Sequence, residues 1–238
     1  NAGMNPPNGS VINYYVKDVS DSAKVSIDIL DKNKKRIKTF STKAKEKEDK
    51  IDVSSGMNQF VWDMKYPPAE KVDGQIIWHG NVPGPKAAPG QYFYKIKAEK
   101  DSVEGSFTIK ANPVYNVSQQ DYEEQFNFLI AIRDKFDEIQ KAGKNIRDIR
   151  KQINDFMDKQ GKDVPKEIKQ KADTIKKQMT AVEEALHQTK AKSGQDVLNY
   201  PIRLDDKISG LYDFAASGNA APARQVKEAF AELGSQAD

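Results

Sequence analysis

The chain contains no cysteine. That absence excludes disulfide frameworks, thiolate nucleophiles, zinc fingers and iron–sulfur sites together. Histidine is nearly absent as well: His79 and His187 are the only two, and neither belongs to a zinc-binding motif. No apolar run approaches the roughly 18–20 residues a membrane span needs. A large charge of one sign is also missing. Residues 1–114 hold 18 Lys and Arg against 14 Asp and Glu, and residues 115–238 hold 20 against 21. Neither half has the basic excess of a nucleic-acid binder. The opening Asn1-Ala2-Gly3-Met4-Asn5-Pro6-Pro7 does not read as a secretory signal and does not start with Met, so the expectation is a mature piece or fragment of something longer.

What is present falls into two parts with different periods. Up to about Asn112-Pro113 apolar residues recur every second position, as in half-buried strands. Val25, Ile27 and Ile29 alternate with Ser26 and Asp28. A polar turn at Asp31–Lys35 leads into a partner strand from Arg36 to Phe40. Phe60, Trp62 and Met64 alternate, as do Tyr92, Tyr94, Ile96 and Ala98. Val11–Val16 and Ser102–Lys110 complete about seven short strands, the count of an immunoglobulin-like β-sandwich. Two loops interrupt the pattern. Lys43–Lys50 is charge-dense and reads as a solvated loop. Tyr66–Ala88 is long and rich in Pro and Gly, and its Ile76-Ile77-Trp78-His79 reads as a short edge strand.

After Pro113 the period becomes helical. Ser118-Gln119-Gln120-Asp121 suits an N-cap with an acidic first turn. The stripe Phe126, Leu129, Ile132, Phe136, Ile139, Gly143, Ile146, Ile149, Ile153, Phe156 keeps its phase through Gly143, which predicts one helix over about 118–160. A break at Gly143 is the alternative. A second helix follows Pro165, with Val164, Ile168, Ala172, Ile175, Met179, Val182 and Leu186 expected inward. A third starts near Asn199-Tyr200-Pro201, and a fourth near Pro222. Short connections imply antiparallel neighbours, hence an up-and-down bundle of three to four helices.

No motif carries chemistry. There is no P-loop, no G-x-G-x-x-G and no G-x-S-x-G elbow, and no EF-hand loop. The adjacent pairs Glu123-Glu124, Glu183-Glu184 and Asp205-Asp206 fall on predicted helices, where neighbouring side chains point about 100° apart. They read as surface charge rather than as a glycosidase acid pair. Asn8-Gly9-Ser10 and Asn116-Val117-Ser118 fit the glycosylation tripeptide. The remaining candidates are aromatic. Trp78, Trp62, Tyr66 and Tyr94 share the N-terminal part with His79, and such rings either pack in a core or stack on sugars. Trp78 leads them because it lies in the long loop.

The segments KVSIDILDKNKKRIKTF, GMNQFVWDM, APGQYFYKI and GSFTIK, in that order, resemble the Ig-like module of the flagellar hook-capping protein and of many secreted bacterial proteins. Asn5-Pro6-Pro7 with Gly9, Val11-Ile12 and Tyr14-Tyr15 is similar to the start of the C-terminal region of bacterial BNR-repeat, sortilin-type β-propeller proteins, which are often labelled glycosyl hydrolases. Tyr200–Ile208 looks like the helical tail that ends them. The resemblance implies that any sugar-cleaving activity belongs to a propeller preceding Asn1; Asp boxes are lacking here, and no catalytic residue carries over.

The resulting expectation is a two-domain β + α chain: an Ig-like sandwich over 1–114 and a helical bundle over 115–238. Its expected role is that of a non-catalytic accessory region, not an enzyme, docking or spacing an N-terminal β-propeller of the same protein. A carbohydrate-binding module using the four aromatic residues is the alternative. The reading assigns no cofactor, no metal, no nucleic acid and no membrane span. A polysaccharide ligand belongs to the aromatic reading and a protein ligand to the docking one, and the resemblance implies an extracytoplasmic location.

Overall fold

The computed structural model describes residues 3, 5–20 and 23–237 (the Lys162 side chain excepted). Of the opening segment, Asn1, Ala2 and Met4 lie outside the described residues. Among the described residues there are six strands followed by four α-helices. The strands are β1 (Ser10–Val16), β2 (Val25–Leu30), β3 (Arg36–Ser41), β4 (Gly56–Trp62), β5 (Gly90–Ala98) and β6 (Asp101–Ile109). The helices are α1 (Gln119–Gln160), α2 (Lys166–Leu186), α3 (Leu204–Ala216) and α4 (Arg224–Ala237).

The chain divides into two compact units, Asn1–Pro67 with Pro85–Phe126, and Pro68–Gly84 with Asn127–Asp238. The expected boundary at 114/115 differs from this on both sides. The first turns of α1 group with the strands. The middle of the Pro- and Gly-rich loop groups with the helices.

In the first unit β1 pairs antiparallel with β4, and β3-β2-β5-β6 form a second antiparallel sheet. The period-two reading explains both. Val25, Ile27 and Ile29 are fully buried, and they share one apolar cluster with Ile12, Phe60, Trp62, Tyr92 and Ile96. The β2–β3 turn closes because Asp31 accepts backbone N–H bonds from Asn33 and Lys35 at 2.9 and 2.8 Å, and Lys34 takes φ +63°. Lys43–Lys50 contains a single 3₁₀ turn at Lys47–Asp49, tied back by Asp49 to Lys38 at 2.6 Å. The expected strand at Ile76–His79 does not form. Two of its backbone donors, the Trp78 and His79 N–H groups, go to a carboxylate of α3, and the Ile77 carbonyl accepts the Gly80 N–H in a turn.

In the second unit Leu129, Ile132, Phe136 and Ile139 of α1 meet Leu186, Leu204, Ile208 and Tyr212 in one buried cluster. Ala69 and Val82 from the loop segment join the same cluster. Gly143 lies inside α1 without a break, as the unbroken stripe predicted. α4 adds Val226, Phe230 and Leu233 at the cluster's edge, with Phe230 edge-on to Phe128 at 5.4 Å. The third helix starts later than read, because Gly194–Leu198 forms a separate 3₁₀ turn and Leu204 opens α3.

Candidate functional site

The four aromatic candidates are divided between the two units. Trp62 is 0% exposed. Its ring packs against Tyr92 and Phe107, and its Nε1–H donates to the Lys65 carbonyl at 3.2 Å, so it presents no face to a ligand. Tyr66 is half-buried and tilted against Phe126. Tyr94 is half-buried across from Gly105; a Cβ at Gly105 would run into the Tyr94 ring. These three belong to the strand unit. Trp78 belongs to the other unit and is 50% exposed. Core packing therefore accounts for Trp62, and Trp78 is the most exposed of the four.

The reading of Asp205-Asp206 as surface charge is overturned: they are 1% and 4% exposed. Both lie in the first turn of α3, where the helix dipole and free backbone donors favour negative charge. Because neighbouring side chains diverge by about 100°, each reaches a different partner. Asp205 lies 2.7 Å from Nδ1 of His187, the residue that ends α2, and also accepts the Asp206 backbone N–H. Asp206 accepts the backbone N–H of Trp78 at 2.8 Å and of His79 at 3.0 Å, and lies 2.8 Å from His79 Nδ1. One turn on, a Cβ at Gly210 would sit 3.1 Å from the His79 ring, so glycine leaves the imidazole its space. Ser209 donates to the Gly80 carbonyl at 2.8 Å and completes the clamp. Both histidines of the chain are thus spent on adjacent aspartates. The cluster holds Trp78 in place by its backbone and leaves its ring outside.

Glu183 is likewise not a surface charge. It is buried and receives Arg147 at 2.9 Å and Arg150 at 2.7 Å from α1. Burial disfavours its charge, but the two guanidinium bonds outweigh this and hold its carboxyl below the usual glutamate range. A lowered folded-state pKa contributes stability that is complete above the unfolded value and disappears as pH falls through the folded one. Melting temperature should therefore fall as pH drops below about 4. Glu183→Gln should reduce that acid-side slope. An unchanged slope in a thermal series from pH 3 to 7 would show that the pair contributes nothing to it. Glu184, by contrast, is exposed as expected.

The third feature is an apolar groove of about 320 Å³ between the distal part of α1 and α2. Ile149, Ile153 and Phe156 line one wall, and Ile168, Ala172 and Ile175 the other. The predicted inward stripes are only half inward. Ala172 and Leu186 are buried, whereas Ile149, Phe156, Ile168, Ile175 and Val182 are 41–50% exposed. These five recur every seventh residue on each helix, so they form two exposed lines beside the buried ones. Periodicity placed them on one helix face. It carried no information on whether a third element covers that face.

The chain matches no protein-family model, no curated protein and no solved structure. No helix among the described residues is long and apolar enough to cross a membrane.

Proposed function

We infer that the chain is a non-catalytic interaction region, an immunoglobulin-like β-sandwich followed by an antiparallel helical bundle, which docks or spaces an N-terminal β-propeller of a larger secreted or periplasmic protein. The observation that carries the interaction role is the exposed groove between α1 and α2. Soluble proteins rarely leave contiguous apolar surface uncovered, and such surface marks a binding face. The propeller partner and the extracytoplasmic location rest on the family resemblance. The His–Asp pairs support the non-catalytic part: each aspartate accepts backbone N–H bonds as well as its histidine, which is how a structural joint is built.

The test uses the purified chain. It is expected to turn over no member of a glycoside and polysaccharide panel. It is also expected to bind an apolar fluorescent dye, with the signal reduced in Phe156→Glu. Reproducible hydrolysis abolished by one carboxylate substitution would overturn the reading.

A second reading, carbohydrate recognition at Trp78, is favoured by one observation. The ring is half open while its backbone is fixed by Asp206, which keeps the ordering cost of stacking low. Polysaccharide binding lost in Trp78→Ala would support it, and no binding across the panel would remove it.

A further inference from the structure

We propose that the surface where Trp78 meets the start of α3 binds an acidic polysaccharide, Trp78 stacking on a sugar ring while Arg203 and Lys207 pair with its carboxylate or sulfate groups. This rests on the carbohydrate reading of Trp78 given above and names the class of glycan.

Asp206 fixes where Trp78 sits. Its carboxylate accepts the Trp78 backbone N–H at 2.8 Å and the His79 N–H at 3.0 Å. A Cβ at Gly210 would come within 3.1 Å of the His79 ring. The segment therefore lies over α3 between Asp206 and Gly210. Arg203 is the N-cap of that helix and Lys207 is its fourth residue. Residues three or four apart on a helix are surface neighbours, with Cβ atoms about 5–6 Å apart. Arg203 stands three residues before Asp206, and Lys207 three before Gly210. At about 100° per residue, Arg203, Lys207, Gly210 and Phe214 fall within about 60° of one another, which makes them one line along α3. Asp206 is about 60° to one side of Arg203, so the Trp78–His79 segment runs beside this line. Arg203, Lys207 and Phe214 are all exposed.

The two cations on the line have no internal partner. Among the described residues neither Arg203 nor Lys207 enters an ion pair. In the same unit Lys141, Lys144, Arg147 and Arg150 of α1 are each bound to a carboxylate. The acids of α3 do not neutralise Arg203 and Lys207. Asp205 and Asp206 are buried, and each is met by a histidine and by backbone N–H. Asp213 is exposed, but it lies about 80° off the line and about 10 Å beyond Asp206 along the axis.

These features select the ligand. The apolar face of a sugar ring stacks on indole, and a backbone already held in place keeps the ordering cost low. A neutral glycan would use the ring and leave both cations unmet. An acidic one meets them with charge-assisted bonds, and the planar fork of Arg203 matches a carboxylate or sulfate. Two cations are too few for an anionic membrane surface, which is held by clusters of about 4–8 basic residues. Nor does the helical part carry a basic excess: residues 115–238 hold 20 Lys and Arg against 21 Asp and Glu. Phe214 is 70% exposed and lies about 12 Å beyond Asp206 along the same helix. It offers a second ring to a sugar farther along, which favours a polymer over a single sugar.

Affinity electrophoresis of the full chain tests this. The gels contain polygalacturonate or dextran sulfate, each against its uncharged counterpart, methyl-esterified polygalacturonate or dextran. Retardation is expected with a charged polymer and not with its counterpart, and the tighter of the two charged polymers tells carboxylate from sulfate. Affinity should fall about tenfold in Trp78→Ala and again in the double variant Arg203→Gln/Lys207→Gln. It should also fall as salt rises from about 50 to about 300 mM. All three positions are exposed, so circular dichroism should be unchanged. Equal binding of charged and uncharged forms that still needs Trp78 overturns the acidic class and keeps the carbohydrate reading. Charged-polymer binding that survives both variants overturns the site. Binding to phosphatidylglycerol vesicles in place of the polymers, lost in both variants, overturns it in favour of a membrane surface. Retention by none of the four polymers removes the carbohydrate reading together with the proposal.

Discussion

Asp206→Ala is expected to lower the free energy of unfolding by about 2–4 kcal/mol, because a hydrogen bond to a charged group contributes about 1.5–3 kcal/mol and three are lost at partly water-accessible donors. The carboxylate is 4% exposed and collects three donors from one short segment. Deleting it removes the acceptor of the part-buried Trp78 and His79 backbone N–H groups and strands the imidazole beside Gly210. Asp206→Asn keeps one acceptor oxygen and should cost less. Asp213→Ala, at an exposed position of the same helix, should change stability by no more than about 0.5 kcal/mol. Urea unfolding of the three variants decides the matter. A loss under about 1 kcal/mol in Asp206→Ala would mean that the segment holds its place without the carboxylate.

Trp62→Ala should cost about 3–5 kcal/mol, the usual penalty for truncating a large buried aromatic residue. The indole is wholly enclosed, with ring contacts to Tyr92 at 5.7 Å and Phe107 at 6.0 Å, and its removal leaves a cavity that the paired strands can close only in part. Trp78→Ala should cost under about 1 kcal/mol, because half the ring is already in water and its backbone bonds to Asp206 do not involve the side chain. The two tryptophans are chemically alike and both were candidates for sugar stacking. Calorimetric unfolding of each variant separates them. Equal losses would contradict the burial difference on which the assignment of Trp62 to the core depends.

The strand unit was legible from local pattern. In β2 the residues Val25, Ile27 and Ile29 point one way and Asp28 the other. The structure buries the first three within the apolar cluster and gives Asp28 the Thr39 hydroxyl at 2.6 Å and Lys97 at 3.1 Å. A side-chain period of two is a property of neighbouring residues, so it can be read without knowing the rest of the fold. The same holds for α1, whose stripe keeps its phase through Gly143. One glycine costs about 1 kcal/mol, which the burial of Leu129, Ile132, Phe136 and Ile139 outweighs.

The candidate sites were legible only in part. Trp78 was singled out because it lies in a loop, and its ring is open. The seven-residue lines of α1 and α2 were seen as stripes, but their exposure was not. The aspartate cluster is not legible, because Asp205-Asp206 reads as surface charge. An acidic first turn is common enough to be taken for a solvated helix start, and nothing near residue 206 in the chain announces a partner at residues 78 and 79.

The six strands from β1 to β6, the unbroken α1, the strand-to-helix change near residue 113 and the absence of thiol chemistry are therefore settled by the amino-acid sequence, because each depends on composition or on residues within a turn or two of one another. Which carboxylates are buried, which unit the Pro68–Gly84 segment joins, and which half of each helix stripe stays in water were decided by the tertiary structure alone. Burial is set by what packs over a residue. For Asp206 that cover arrives from 127 residues away, and for Phe156 no element of the described chain supplies it.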